Sequence, residues 1–298
     1  MHSPDWMIDQ TRNLLATLLL LALASAGAAK TVEESLELPV SAINMYGKTV
    51  SQPIKLTVFR DDERPRAPFL VLNHGRPAKA EEFVKMGRVR YFDNAKYFVA
   101  QGFAVFVPTR LGYGESGGED MEYSGGCTAK NYPPAYEAAA QQSLKVIEYA
   151  RSRPYVNPER GLLVGQSMGG AATVALAAKN PAGVVAAVNF AGGGGGDPVG
   201  RPGVPCRSEL MQKLYASYGA IARVPVLWLY SENDKYWGKQ LPQAWFGAFS
   251  KAGGPGEFSQ LPALPSALGD DGHASFTRNP AAWRPAFEEF IRKNGFSP

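Results

Sequence analysis

The sequence predicts an α/β fold with a mostly parallel central sheet, and three observations predict it. Short apolar runs of strand length alternate along the chain with helix-length segments. Two of these runs, at residues 68–73 and 103–108, are almost continuously apolar, as is typical of strands buried on both faces. A third run, at 161–164, breaks at a glycine-flanked turn and continues into an alanine-rich segment. With 298 residues, 45% of them hydrophobic, the chain can bury one large core.

The N-terminus has the pattern of an export signal. Residues 14–23 form an almost unbroken apolar run, and the small residues that follow offer cleavage sites after Ala26 or Ala28. We therefore predict a signal peptide over residues 1–28, a single catalytic domain over 29–298, and a secreted or periplasmic protein. Arg12 is offset by Asp5 and Asp9, so the usual positive bias is weak and an uncleaved anchor is the alternative. The run is short for a bilayer span, and we expect no stable membrane insertion after cleavage.

The charge balance favours a small-molecule ligand over a polyanionic partner. Removal of residues 1–28 takes one basic and two acidic residues from totals of 31 and 27, which leaves a net charge of +5. These charges are scattered rather than clustered, so we expect neither nucleic-acid binding nor a polybasic membrane patch. The oligomeric state does not follow from the sequence.

The elements after the leader can be assigned in order. Alternating apolar and polar residues at 35–40 and 54–60 predict an antiparallel pair at one edge of the sheet. The further predicted strands are 68–73, 103–108, 161–164, 184–190, 224–230 and 257–261. The predicted helices are 92–100, 136–151, 171–179, 207–218, 243–251 and 281–292. In such a sheet, ligand sites lie beyond the carboxyl ends of the strands. The long loops, chiefly 109–134, are expected to form a wall of the site and a small lid, with the glycine run 192–196 as a hinge or lid base.

The turn at residues 165–169 predicts a catalytic serine. A strand, a Gly-Gln-Ser-Met-Gly turn and a helix place Ser167 at a strained apex, where glycines on either side avoid collision with the crossing strand and helix. The backbone N–H of Met168 then points at the oxygen that becomes negative during acyl transfer. Residues 114–118 also match the pattern around Ser116, but no helical segment follows, so we interpret that copy as a surface loop. A dinucleotide site at 112–117 is disfavoured for the same reason.

A nucleophilic serine needs a base, and the base needs an acid to orient it. The sequence has three histidines; His2 is in the leader, and His74 ends a central strand, where we expect it to hydrogen-bond loop backbone. His273, after the last strand, is therefore predicted to be the general base and acid. Asp234, just past a buried strand, is the predicted acid, and Glu232 is the alternative. Asp270 and Asp271 are too close in sequence to face the far nitrogen of His273.

The order Ser, Asp, His is the one expected of an α/β-hydrolase. The chain resembles the α/β-hydrolase superfamily, and within it the exported dienelactone-hydrolase-like and esterase or peptidase-like bacterial proteins, through residues 74–77 and 109–116, the elbow, Asp234 and His273. The resemblance implies that the α/β-hydrolase fold spans the mature chain. It also implies that the backbone N–H of Arg76 completes the oxyanion hole with that of Met168. Dienelactone hydrolases typically have a cysteine nucleophile where this chain has Ser167.

Two cysteines, Cys127 and Cys206, lie in glycine- and proline-rich loops. In an oxidising compartment a disulfide between them is a reasonable hypothesis, and two free buried thiols are the alternative. No histidine or cysteine cluster suggests a metal, and we expect no cofactor.

These observations predict a serine hydrolase that cleaves a small-molecule carboxylic ester through an acyl-enzyme. An amidase or peptidase would use the same residues, and a catalytically silent binding protein on a hydrolase fold is the alternative from another class. We expect the Arg76 side chain to be available to a substrate carboxylate. The aromatic residues that could line the pocket are Tyr113, Tyr123, Tyr132, Trp237 and Phe276.

Overall fold

An eight-stranded sheet forms the centre of the computed structural model, which describes residues 31–296. Its strands are β1 (Thr31–Ile43), β2 (Thr49–Asp61), β3 (Ala67–Asn73), β4 (Ala104–Thr109), β5 (Val156–Gln166), β6 (Val184–Phe190), β7 (Val226–Ser231) and β8 (Gly256–Leu261). Their order across the sheet is β1-β2-β4-β3-β5-β6-β7-β8. The strand β2 is antiparallel to both neighbours, and the pairs from β4 to β8 are parallel. The predicted antiparallel start and parallel centre are both confirmed.

Helices cover both faces of this sheet. They are α1 (Phe92–Ala100), α2 (Tyr132–Arg151), α3 (Met168–Ala178), α4 (Ser208–Gly219), α5 (Leu241–Lys251), α6 (Ser275–Arg278) and α7 (Pro280–Lys293). Buried residues of α2 to α5 form one hydrophobic layer, and those of α1 and α7 form the other. Within residues 31–296, no helix combines the length and apolar character that crossing a bilayer requires. The predicted signal peptide, residues 1–28, and the boundary at residue 29 lie outside the described residues.

Strand β3 shows why the central strands are apolar throughout. Phe69 and Val71 belong to the layer under α2 to α5, whereas Leu70 and Leu72 belong to the layer under α1 and α7. Successive side chains of a strand point to opposite faces, so a strand covered on both sides must be apolar at every position. All four side chains are fully buried.

Several elements begin earlier than the sequence predicts, and the reason is clear for two of them. Helix α2 starts at Tyr132 rather than residue 136, because Pro133 and Pro134 occupy its first turn, where proline is tolerated. Strand β5 starts at Val156 rather than residue 161, since its polar first half pairs with β3 across a register shift. The first half of β5 is polar and therefore has no apolar run that would predict a strand.

Two long loops, 110–131 and 191–207, approach each other beyond the carboxyl ends of the strands. They are joined by a disulfide between Cys127 and Cys206, whose Cα atoms lie 5.1 Å apart. The glycine run 192–196, predicted as a hinge or lid base, is closely packed. A Cβ on Gly193 would lie 2.9 Å from the ring of Trp237, and one on Gly196 would lie 2.7 Å from the ring of Tyr236. These glycines form a tightly packed wall against aromatic rings.

Candidate active site

Ser167 lies at the sharp turn between β5 and α3. Its backbone has φ 58° and ψ −124°, a strained conformation for a non-glycine residue, and its N–H donates to the carbonyl of Phe190 at 2.9 Å. A Cβ on Gly165 would collide with the carbonyl of Gly169, and a Cβ on Gly169 would collide with that of Asn73. The two glycines therefore permit the close crossing that the elbow requires.

His273 and Asp234 are paired, although 39 residues separate them in sequence. The Nδ1 atom of His273 lies 3.0 Å from Oδ2 of Asp234, which follows the end of β7. The other carboxylate oxygen of Asp234 accepts the N–H groups of Tyr236 and Trp237, at 2.8 and 3.1 Å. The carboxylate is thus fixed by its own loop, and its contact with Nδ1 leaves Nε2 of the imidazole as the nitrogen available to a substrate.

Ser167 and His273 line the same cavity, which has a volume of about 260 Å³ and lies beside Tyr91, Met86 and Tyr236. Within residues 31–296, no hydrogen bond joins the hydroxyl of Ser167 to the ring. Such bonds are commonly long or misaligned in a ligand-free hydrolase and tighten when substrate binds. The structure thus brings Ser167, His273 and Asp234 together beyond the carboxyl ends of the strands, where the sequence predicts them.

The predicted oxyanion donors flank Ser167. Gly75 packs so closely that a Cβ there would lie 3.1 Å from the Cβ of Ser167, which places the following residue, Arg76, beside the elbow. Met168 is the first residue of α3, where the helix dipole favours negative charge. Among the described residues, no backbone carbonyl in a loop or turn accepts a hydrogen bond from the N–H of Arg76 or from that of Met168. Both groups are free to donate to a ligand oxygen.

His74 has the structural role that the sequence predicts. Its Nε2 accepts the backbone N–H of Arg110 at 3.1 Å, and its Nδ1 lies 2.6 Å from the carbonyl of Gly75. The ring is fully buried, and burial, with the nearby Arg110 charge, holds its pKa well below the ordinary value. His74 is therefore a neutral ring that shapes the loop carrying Arg76.

A buried ionic network supports that loop, and the sequence reasoning missed it. Arg110 and Glu122 form a fully buried ion pair, and Nη2 of Arg110 also donates to the carbonyl of His74 at 2.9 Å. The hydroxyl of Tyr113 donates to Glu122 at 2.7 Å and accepts from Arg76 at 2.8 Å. Charged residues in a glycine-rich loop are ordinarily exposed, so only their pairing in three dimensions reveals this role.

The side chain of Arg76 is not available to a substrate, contrary to our expectation. Its guanidinium forms a bidentate pair with Asp120, at 2.6 and 2.5 Å, and lies 4.3 Å from the ring centroid of Phe83. A guanidinium that already forms two hydrogen bonds with one carboxylate has little capacity to bind a second carboxylate. The Arg76 side chain therefore anchors the loop on which it lies.

The alternative residues are occupied elsewhere. Glu232 pairs with Lys239 at 2.6 Å, and Asp270 pairs with Lys235 at 2.5 Å. Asp271 accepts the backbone N–H of His273 at 3.0 Å and so holds the turn rather than the ring. The hydroxyl of Ser116 donates to the carbonyl of Thr109, which explains its elbow-like motif as a turn.

A second cavity, of about 210 Å³, opens on the other side of Ser167. Tyr123, Tyr132 and Trp237 line it, as the sequence predicts. Tyr113 belongs to the buried network instead, and Phe276 packs on Phe190 with ring centroids 4.4 Å apart. The lining residues that the sequence reasoning missed include Lys130, Tyr136 and Tyr236. Within the described residues, no group of three or more His, Cys, Asp or Glu side chains is arranged to hold a metal ion.

The sheet order, the strained serine elbow and the histidine–aspartate pair together define the α/β-hydrolase class. Comparison with known families agrees, because residues 69–292 match the alpha/beta hydrolase family. The chain therefore belongs to this family, and its class is that of the hydrolases. No curated protein matches the sequence at a significant level.

Solved structures share the fold at low sequence identity. A dienelactone hydrolase-like promiscuous phosphotriesterase, P91, from metagenomic libraries is 13% identical, with a TM-score of 0.56 over 89% of this chain and 99% of that one. An acetyl xylan esterase from Paenibacillus sp. R4 is 14% identical, with a TM-score of 0.54 over 89% of each chain. The esterase Pf2001 of Pyrococcus furiosus is 12% identical, with a TM-score of 0.55 over 87% of this chain and 90% of that one. At these identities the likeness concerns the fold.

Proposed function

We propose that this protein is a serine hydrolase that cleaves small-molecule carboxylic esters through an acyl-enzyme, with Ser167, His273 and Asp234 as the triad. The observation that carries the proposal is the placement of His273. Its Nδ1 is held by Asp234 at 3.0 Å, and its ring lines the cavity that Ser167 also lines. A serine at a strained elbow beside an oriented imidazole is the arrangement that acyl transfer requires.

The proposed reaction has two halves. The substrate carbonyl oxygen lies between the backbone N–H groups of Arg76 and Met168, and the hydroxyl of Ser167 attacks the carbonyl carbon while Nε2 of His273 takes its proton. His273 then gives that proton to the departing alkoxide, and the acyl group remains on Ser167. Water repeats the sequence, which releases the acid and restores the serine. Asp234 stabilises the imidazolium at each stage.

Two alternatives use the same structure. An amidase or peptidase would need the same triad and oxyanion donors. The similarity to the two esterases concerns the fold, so it does not separate ester hydrolysis from amide hydrolysis. A silent binding protein would retain the cavity without turnover.

A substrate panel separates these possibilities. We would assay p-nitrophenyl esters of graded acyl length beside aminoacyl anilides, using the wild type, Ser167→Ala, and Ser116→Ala as the matched control. We expect ester hydrolysis in the wild type and Ser116→Ala, with kcat reduced at least about 1,000-fold in Ser167→Ala. Faster cleavage of anilides would favour the amidase, and no turnover of either class would favour the binding protein.

Export remains a proposal that rests on residues 1–28. Expression of the full chain in a Gram-negative host, followed by fractionation and N-terminal sequencing, tests it. We expect periplasmic protein that begins near residue 27 or 29, whereas an intact N-terminus in the membrane fraction would indicate an anchor.

A further inference from the structure

Two cavities meet at Ser167, and His273 lines only one of them. The cavity of about 260 Å³, here called the histidine cavity, is lined by His273. The cavity of about 210 Å³, here called the inner cavity, is lined by Ser167 and Met168 but not by His273. An ester bound at Ser167 must place its acyl part and its alcohol part in different directions. The two cavities therefore offer one place for each part.

The proton transfer decides which part goes where. In the proposed function, on which this inference rests, His273 protonates the departing alkoxide, so the alcohol must lie within reach of the imidazole. That requirement places the alcohol in the histidine cavity. The acyl part then extends into the inner cavity, past Met168 and toward the glycine wall 193–196.

Lys130 lines the inner cavity, and no carboxylate of the described part of the chain pairs with it. The ammonium of Lys130 donates only to neutral oxygens, the carbonyl of Gly125 at 2.7 Å and the hydroxyl of Ser124 at 3.3 Å. No carboxylate of residues 31–296 lies within 4.0 Å of it, and Lys130 is half-buried. The other described lysines that lack a carboxylate partner are all exposed: Lys79, Lys85, Lys96, Lys213 and Lys251.

The surroundings of Lys130 leave its charge uncompensated. Burial lowers the pKa of Lys130, and the positive charges of Arg76 and Arg201 lower it further. Glu122 is the one acidic residue among those that line the inner cavity, and it is already bound by Arg110 and Tyr113. A partly buried cation without a counter-ion is costly, and a bound anion would relieve that cost.

The chain also holds Lys130 in place. The residue directly follows the turn Cys127–Ala129, which the disulfide ties to Cys206. On its other side, the N–H of Asn131 donates to the carbonyl of Ser124 at 2.8 Å, and α2 begins at Tyr132. A lysine fixed at both ends of its loop can recognise charge at a defined distance from Ser167.

We propose that Lys130 selects esters whose acyl part carries a carboxylate, such as the half-esters of short dicarboxylic acids. The carboxylate would bind the ammonium of Lys130 in the inner cavity while the ester carbonyl lies at Ser167. The volume of about 210 Å³ is below the range of typical ligand pockets, about 300–1,000 Å³, which favours a short acyl chain.

A matched pair of substrates tests this proposal. Mono-p-nitrophenyl adipate and p-nitrophenyl hexanoate share the leaving group and chain length and differ in the terminal carboxylate. We expect the wild-type kcat/KM to favour the adipate at least about tenfold, because a charge-assisted contact is made only with the anion. Lys130→Met should lower that ratio about 10- to 100-fold, Lys130→Arg should retain most of it, and the exposed control Lys251→Met should leave it unchanged.

The outcomes separate this inference from the function on which it rests. A wild-type ratio near one, or a ratio unchanged in Lys130→Met, overturns the role of Lys130 while hexanoate turnover still supports the esterase. If Lys130→Met instead impairs only the hexanoate ester of 4-hydroxybenzoate, compared with phenyl hexanoate, the acyl and alcohol assignments are reversed and the proposal is wrong. No turnover of any ester, with no fluorophosphonate labelling of Ser167, would overturn the esterase itself.

Discussion

Tyr236 lies face to face with His273, with ring centroids 4.0 Å apart and ring planes 25° apart. The backbone N–H of the same tyrosine donates to Asp234, the residue that holds Nδ1 of the imidazole. One short loop after β7 therefore fixes both the edge and the face of the His273 ring. An aromatic face also stabilises a cation, so the contact should strengthen when His273 is protonated.

Removal of this ring should slow catalysis. A stacked pair of this kind is worth about 0.5–1.5 kcal/mol, so we expect Tyr236→Leu to lower kcat for p-nitrophenyl esters by about 2- to 10-fold. Tyr236→Phe keeps the ring and is the matched control, with kcat close to wild type. Equal losses in the two variants would assign the effect to the hydroxyl and contradict the stacking argument.

Removing one charge of the buried pair Arg110–Glu122 should lower the free energy of unfolding more than replacing both residues with apolar ones. Glu122→Gln leaves Arg110 buried without a counter-ion, and we expect the free energy of unfolding to fall by about 3–5 kcal/mol. The double variant Arg110→Met with Glu122→Leu removes both charges and should be less destabilised than Glu122→Gln. Urea unfolding of the wild type and the variants measures these values. A double variant that is the least stable of the set would contradict the prediction.

The buried His74 should make the protein sensitive to mild acid. Its pKa is lowered in the folded state and is near 6.5 in the unfolded chain, so below about pH 6.5 the unfolded chain binds a proton that the folded protein does not. The neutral His74 ring therefore contributes its full stabilisation above that pH. As the pH decreases below it, the free energy of unfolding falls by up to about 1.4 kcal/mol per pH unit for this group. We would compare urea unfolding at pH 7.5 and 5.5 for the wild type and His74→Gln. The variant should lose less stability between the two pH values, and equal losses would count against a neutral buried ring.

The disulfide should stabilise both the fold and the inner cavity. It closes a loop across 79 residues, and removal of such a bridge typically costs about 2–5 kcal/mol. We expect Cys127→Ser with Cys206→Ser to unfold at lower urea and to show a higher KM, since the two bridged loops line the cavity. Dithiothreitol should shift the wild type toward the double variant and leave the variant itself unchanged. If dithiothreitol changes neither the KM nor the stability of the wild type, the disulfide does not have this structural role.

The elbow and the pair His273–Asp234 could be predicted from sequence. A serine flanked by glycines between an apolar run and an alanine-rich segment has few other structural explanations, so the elbow has a local signal. The choice of His273 depends instead on the whole chain, because only three histidines compete for the role of base. The sheet followed from the alternation of apolar runs, except at the polar start of β5.

The parts that could not be predicted depend on the path of the long loops. Arg110, Glu122 and Lys130 lie in a glycine-rich segment where charged residues usually face solvent, and nothing local shows that two are buried as a pair and one lines a cavity. Phe276 was predicted to line the pocket, and it does not line the inner cavity. It lies close to His273 in sequence, yet it packs into the core against Phe190 and Trp283.

We propose above that Ser167 is the nucleophile and that His273 activates it. The most direct measurement is peptide mass spectrometry of the protein after treatment with a fluorophosphonate, beside the variant His273→Gln. We predict one adduct, on Ser167, formed rapidly in the wild type and at least about 100-fold more slowly in His273→Gln. An adduct on Ser116, or labelling of Ser167 at the same rate in both proteins, would mean that His273 does not activate Ser167 for nucleophilic attack.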